Sequence, residues 1–345
     1  MRIVAAPDKF KGTATAQEVS AAIASAAKIA GYACTQVPMA DGGEGTLAAL
    51  GGANRSSLVT GPLGSPVNAE WRFDQGLAVL EMAQSSGLVL AGGKEKNDPL
   101  AATTAGVGEL ISEAVDAGAT RIIIGVGGSA TTDGGLGAIE ALGGSAARLT
   151  GVDVVVACDV RTLFVDAATV FAPQKGASPA QISMLSNRLS ALVDDYRSRF
   201  GIDVSTLVRG GAAGGLAGGL AALGATLVDG FDIVAEITGL AEAVIGADMV
   251  ITGEGFLDDE SFNGKVIGGV ATLAAVHSVP VLAIAGQVFD HVEDRIDAIS
   301  LADEFGLERA LTNTTDAVTE AYYSDWNALE LPKRRATSES VRGSD

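Results

Sequence analysis

Short apolar runs recur along the chain, at residues 2–6, 35–40, 121–126, 153–158, 249–252, 281–285 and 298–301, repeatedly ending in Gly or Asp loops before helical patterns. Continuous apolar stretches of this length, bounded by turn residues, suit strands buried on both faces. Their alternation with helices predicts an α/β fold built on a parallel sheet. In such sheets ligands gather at the carboxyl ends of the strands, where these loops would lie. One interval breaks the rhythm. Segments 57–60, 67–73 and 77–82 are strand candidates separated by Gly/Pro turns and are expected to pair antiparallel. With a helix near 47–50 before them, and a helix at 104–117 and the strand at 121 after them, the order reads αβββαβ. This predicts a second domain inserted at 46–149, leaving 1–45 and 150–331 as one discontinuous domain. The Gly/Ala-rich stretch 214–228 reads as a packed helix, and the polar, aperiodic stretch 332–345 as a disordered tail.

At 345 residues the chain exceeds the size at which one core keeps growing, which agrees with two domains. A net charge of -19 leaves no basic face to release counterions and argues against nucleic acid, though not against a small anion screened by metal and local lysines. Cys34 and Cys158 have no partner spacing and read as reduced core residues. With only His277 and His291, a histidine zinc site or a Ser-His-Asp triad has little support. No apolar run approaches the roughly 20 residues a bilayer requires. The N-terminus enters a strand pattern at once, so a cytoplasmic protein is expected.

The candidate chemistry lies in glycine clusters. Ala40-Asp41-Gly42-Gly43-Glu44-Gly45-Thr46 has relatives in Gly127-Gly128-Ser129-Ala130-Thr131-Thr132-Asp133-Gly134-Gly135, Gly210-Gly211-Ala212-Ala213-Gly214-Gly215 and Ile251-Thr252-Gly253-Glu254-Gly255. Paired glycines let backbone N–H groups converge on an anion. A carboxylate beside them would repel bare phosphate unless a cation intervenes, so the combination points to a metal-bridged phosphoryl site. Tight turns with an Asp cap are the plainer reading of any single cluster. Lys9 and Lys11 occupy a loop between the first strand and the first expected helix, a favourable place for phosphate. Lys175 and Lys265 also sit beside glycines. There is no Walker A loop, and the loose G-x-G-x-x-A pattern at 125–130 lacks the acidic residue a dinucleotide site needs.

Taken together, APDKFKG at 6–12, ADGGEGT at 40–46, GGSATTDGG at 127–135, APQKGA at 172–177, GGAAGG at 210–215 and TGEG at 252–255 resemble the type I bacterial glycerate kinases, in the same order and over the chain up to about residue 320. The resemblance implies phosphorylation of D-glycerate by ATP with Mg²⁺, usually to 2-phosphoglycerate. It also implies a flavodoxin-like domain carrying a restriction-endonuclease-like insertion, with the active site in the cleft between them. Two segments depart from the family. Arg161-Thr162-Leu163-Phe164-Val165-Asp166 replaces an Asn-Pro-Leu-Gly type segment, and Glu260 stands where Gln is usual.

On this footing Asp133 and Glu254 are the expected metal ligands. The phosphates are assigned to Lys9, Lys11, Lys175 and the backbones of Gly127, Gly128, Ser129, Ala130, Gly210, Gly211, Gly214 and Gly215. Asp8, Gly42, Gly43, Glu44 and Lys265 join the substrate- and phosphate-binding set. Asp159 is the favoured general base and Asp41 the alternative. A kinase of another small hydroxy acid, and a non-catalytic sensor of nucleotide or glycerate, remain open readings, as does the oligomeric state.

Overall fold

The computed structural model describes residues 1–326 apart from 263, 290, 291 and 293, so the expected tail at 332–345 lies outside the described residues. The strands are β1 (Arg2–Ala5), β2 (Ala33–Gln36), β3 (Arg55–Thr60), β4 (Pro66–Asp74), β5 (Leu77–Glu81), β6 (Arg121–Gly125), β7 (Asp153–Cys158), β8 (Thr226–Asp229), β9 (Met249–Leu257), β10 (Val281–Val288) and β11 (Asp297–Ser300). They form two sheets. One is five-stranded, in the order β11-β10-β9-β1-β2, and wholly parallel. The other is six-stranded, in the order β3-β4-β5-β6-β7-β8, antiparallel from β3 to β5 and parallel from β5 to β8. No helix among the described residues is long and apolar enough to cross a membrane.

Strand alternation sorts the apolar side chains into separate cores. On β1, Ile3 and Ala5 pack with Val19 and Ile23 of helix Ala16–Ile29 and with Val318 and Tyr322 of helix Thr314–Trp326. Val4 and Ala6 face the other way, into a core shared by both sheets. There Val250 of β9 meets Val79, Ile123 and Val155 of the second sheet through helices Gly230–Thr238 and Val266–Val276. Ile122 and Ile124 turn to another large core, with Leu110, Leu189 and Tyr196. The shared middle layer holds the two sheets together.

Two expectations need correction. The boundary at 149/150 divides a sheet, because β7 pairs with β6 along residues 153–157 and β8 pairs with β7. The apolar strand β7 needs neighbours on both edges and finds them in the second sheet. The stretch 214–228 is not one helix: helix Leu216–Ala222 stops before Gly224 (φ 101°), and β-branched Thr226 and Val228 continue as β8.

Candidate functional site

In the five-stranded sheet the chain leaves β1 toward β2 on one side and returns through β9 to β11 on the other. The order therefore reverses between β1 and β9, and a crevice opens at their carboxyl ends. Residues 6–8 follow β9 closely, with Ala6 N donating to Ile251 O and Asp8 N to Gly253 O, both at 2.8 Å. Asp8 and Glu254 thus come from the strands flanking the switch point, and both are buried. Lys9 places its Nζ 3.6 Å from Asp8 Oδ1 and 3.9 Å from Asp41 Oδ1. At Gly255 a Cβ would stand 3.3 Å from Lys11 N, so glycine lets the lysine loop lie close against β9.

The Asp41–Gly45 loop, reached from β2, docks onto the second sheet. Val126 N donates to Gly42 O at 3.0 Å, and a Cβ on Gly127 would lie 2.6 Å from Gly43 Cα. Asp41 Oδ1 accepts from Gly43 N at 3.0 Å, which fixes the carboxylate toward Lys9. Glu81, at the end of β5, accepts from Leu47 N at 2.7 Å and secures the far end of the loop. Acidic groups from both sheets consequently surround one ammonium.

Their protonation reflects that crowding. Burial, reinforced by the charges of Asp41 and Glu254, outweighs Lys9 and pushes the Asp8 carboxyl up to about 7. Burial opposes the Lys9 ammonium, but Asp8, Asp41 and Glu44 overcome it and raise Lys9 above its ordinary value. Glu254 and Glu81 are raised chiefly by burial. Asp159, at the end of β7, keeps an open face to solvent, yet the protein crowded around it and then the Asp41 charge raise it, with Lys265 and Lys9 pulling the other way. Because Asp8 rises from 3.8 to about 7, the folded protein retains a proton that the unfolded chain releases between those values. Its contribution to stability is present below the unfolded value and is lost as pH climbs toward about 7. Asp8→Asn is therefore expected to be more stable than the parent at pH 8, by up to ~4 kcal/mol, with the gap closing toward pH 4. Urea titrations across that range check it; an equal gap at both ends would refute it.

Other expected site residues serve the fold. Asp133 is buried, and both its oxygens are engaged: Oδ2 accepts from Thr104 N and Oγ1, each at 2.8 Å, and from Gly137 N at 3.3 Å, while Oδ1 accepts from Gly135 N at 3.1 Å. It ties the 133–137 turn to the start of helix Ala105–Asp116. Lys175 is 2% exposed and donates to Thr131 O at 2.6 Å beneath the Gly127–Asp133 loop; burial lowers it to about 7. It braces the loop from below and presents no ammonium to phosphate. The N–H groups of Gly210, Gly211 and Gly215 donate to Leu207, Thr162 and Gly211 carbonyls. A Cβ on Gly214 would collide with Thr131 O, so this cluster is a close backbone crossing, not an anion cradle. The substituted segment at 161–166 forms part of the same crossing through Thr162 O and the fully buried Phe164. The N-terminus of helix Ala16–Ile29 is also engaged, by a reciprocal Thr15–Glu18 capping box, leaving attraction for anions to the lysines. Ala130 N is engaged with Ser86 O, whereas Gly128 lies on an exposed turn with φ 69° beside Gly127 and Ser129. Cys158 is buried as expected, but Cys34 is only half-buried, because β2 is an edge strand.

Sequence reading missed Arg209 and Asp229. Arg209 has φ 75° without being glycine, and its guanidinium donates to Cys158 O at 3.0 Å and to Asp229 Oδ2 at 2.9 Å. It holds the end of β7, and so Asp159, against the end of β8. Asp229 Oδ1 accepts from Phe231 N at 3.2 Å and caps helix Gly230–Thr238, which abuts the Asp41 loop. Arg209 directly precedes Gly210, but nothing in the sequence ties it to Asp229 or to the end of β7; only the sheet pairing does.

The sequence model of the glycerate kinase family matches residues 3–147 and 144–324. The glycerate 2-kinase of Escherichia coli K12 is 41% identical over 97% of this chain and 100% of its own length. The glycerate kinase of Bacillus subtilis 168 is 40% identical over 84% of this chain and 85% of its own. The solved structure of a glycerate kinase 2 from Salmonella typhimurium LT2 superposes with a TM-score of 0.80 at 37% identity, covering 93% of this chain and 96% of that one.

Proposed function

Because the chain belongs to the glycerate kinase family, we propose that it transfers the γ-phosphoryl group of ATP to D-glycerate, with Mg²⁺, and forms 2-phosphoglycerate. The observation that carries this reading is Lys9, held between Asp8 and Asp41 at the switch point and set beside the docked glycine loops. The naming of the Escherichia coli relative as a glycerate 2-kinase favours the 2-position.

The residues fit a hard cation. Glu254 Oε1 is buried with no hydrogen-bond partner, an oxygen suited to a metal. Among the described residues no group of three His, Cys, Asp or Glu side chains makes a metal centre by itself. Mg²⁺ needs no such cage, since it commonly takes one or two carboxylates together with water and substrate phosphates. When bound, Mg²⁺ would supply charge neutralisation and polarisation at the phosphates.

The chain's own groups do the rest. Lys9 offers a strongly held positive charge to the transferring group. Asp41 and Asp8 fix the direction of that ammonium, and the exposed turn at Gly128 offers backbone N–H groups to phosphoryl oxygens. Asp159 takes the proton of the glycerate hydroxyl; its raised basicity suits the task, and its open face lets the proton leave to water afterwards. Lys265, whose charge acts on both Asp159 and Glu254, balances the acidic side.

Purified protein is expected to consume ATP only when D-glycerate and Mg²⁺ are both present, with the 2-phosphate ester visible by phosphorus NMR. EDTA should stop the reaction and Mg²⁺ restore it. No turnover on glycerate, tartronate or glyceraldehyde would eliminate the kinase reading, and undiminished activity in EDTA would eliminate the metal.

A further inference from the structure

We propose that the cavity beside Lys9 and Lys11 binds the nucleoside of the phosphoryl donor, and that the hydroxy acid occupies the opposite side of Lys9, facing Asp41 and Asp159. This rests on the kinase reading above and adds which side of the lysine each substrate takes.

The cavity measures about 310 Å³ and lies between the 8–15 loop, the start of helix Ala16–Ile29 and the short helix Thr46–Ala49. That is the lower end of the range that encloses drug-sized ligands. A three-carbon acid would leave most of it empty. The wall is mixed: Ala48 and the edge of the buried Phe10 are apolar, while Thr13, Gln17, Glu18 and Glu44 are polar. Glycerate, small and rich in heteroatoms, has no face to set against the apolar part of this wall. A nucleoside instead brings a flat apolar ring face with a few polar edges. The charges lie where its phosphates would run, because Lys9 and Lys11 both line the cavity. The same Lys9 Nζ stands 3.9 Å from Asp41 Oδ1, so phosphates following Lys9 out of the cavity reach the acidic side, where Asp41 acts on Asp159. The acceptor hydroxyl and the leaving phosphate oxygen then lie on opposite sides of the phosphoryl group held at Lys9, the arrangement in-line transfer uses.

A rival base site exists close by. Phe256 and Phe289 stack with ring centroids 6.2 Å apart, each about half exposed, and Phe256 lines a smaller pocket that shares Phe10, Lys11 and Thr13 with the cavity. Aromatic pairs of this kind also take bases. The test therefore compares the two places. Ala48→Phe fills the cavity, Gln17→Ala removes its half-buried amide without adding bulk, and Phe256→Ala removes the outer platform. Calorimetry with ADP and with pyrophosphate separates binding of the nucleoside from binding of phosphates. In Ala48→Phe the ATP KM and ADP Kd should rise by at least about tenfold, with the pyrophosphate Kd and glycerate KM within about twofold of the parent. Gln17→Ala should shift the same two constants in the same direction by a smaller factor, and it carries the test if the Phe variant melts early. Unchanged ADP affinity in both variants, a rise confined to Phe256→Ala, or a rise in glycerate KM alone would overturn the proposal. If the parent protein phosphorylates no hydroxy acid, the kinase reading fails, while the ADP and pyrophosphate titrations still decide what the cavity binds.

Discussion

Asp159→Asn is expected to lower kcat by about 10²–10⁴, the usual contribution of a general base, while leaving the fold and the apparent Mg²⁺ affinity near those of the parent. The carboxyl stands at the end of β7 with one face open, so its loss removes no buried contact of consequence. Asn keeps the shape and one acceptor oxygen but cannot take a proton at neutral pH. Asp41 has different work. It accepts from Gly43 N and faces the Lys9 ammonium, so Asp41→Asn should act mainly on the glycerate or Mg²⁺ requirement. Steady-state kinetics at saturating Mg²⁺ and glycerate separates the two. If Asp159→Asn retains near-normal kcat while Asp41→Asn loses it, the base is Asp41.

Gly230→Ala should be among the most damaging single methyls at the described glycines, for both stability and activity. A Cβ there would collide with Asp41 O, and a Cβ on Gly42 would in turn stand 2.9 Å from Gly230 Cα. Both obstacles are backbone, so no rotamer change relieves them, and the Asp41 loop must move off the second sheet. Overpacking of this kind costs about 1–3 kcal/mol or more, and displacement of reacting groups by about 1 Å adds a loss of roughly 10² in kcat/KM. Gly151→Ala is the control: its φ is 81° but nothing lies within 4 Å, so only left-handed strain of about 1–2 kcal/mol applies, with kinetics unchanged. Urea denaturation and kcat/KM on both variants check the prediction, and an active Gly230→Ala protein would refute the docking argument.

Much of the fold was legible in the residue pattern. β7 matches the apolar run 153–158, and the segments expected at 57–60, 67–73 and 77–82 became antiparallel β3 to β5. Such segments announce themselves because burial on one or both faces imposes a period that local sequence must carry. β8 escaped because Thr226-Leu227-Val228-Asp229 is short and follows a Gly/Ala-rich helix whose end is marked only by Gly224. The sheet to which β7 belongs also escaped, since a run buried on both faces looks the same whichever neighbours it finds.

The site shows the same division. Local position and the family resemblance singled out Lys9 on its strand-to-helix loop, Asp41 beside paired glycines, Glu254 between two glycines and Asp159 at a strand end. The same signals grouped Asp133, Lys175 and the Gly210–Gly215 run with them, because an acid or lysine beside glycine looks alike in sequence whether it faces a ligand or the protein's own backbone. Tertiary structure separated them by hydrogen-bond satisfaction: Asp133 and Lys175 find their partners inside the fold, whereas Glu254 keeps a buried oxygen with none. Arg209 and Asp229 entered only through β7–β8 pairing, a contact between segments about seventy residues apart. The family, most strand-forming segments and the kind of chemistry reside in local composition and order, and the residue pattern carried them. Which carboxylates share a crevice was decided only by the docking of one sheet's loops on the other, because that depends on long-range backbone approach that no single segment encodes.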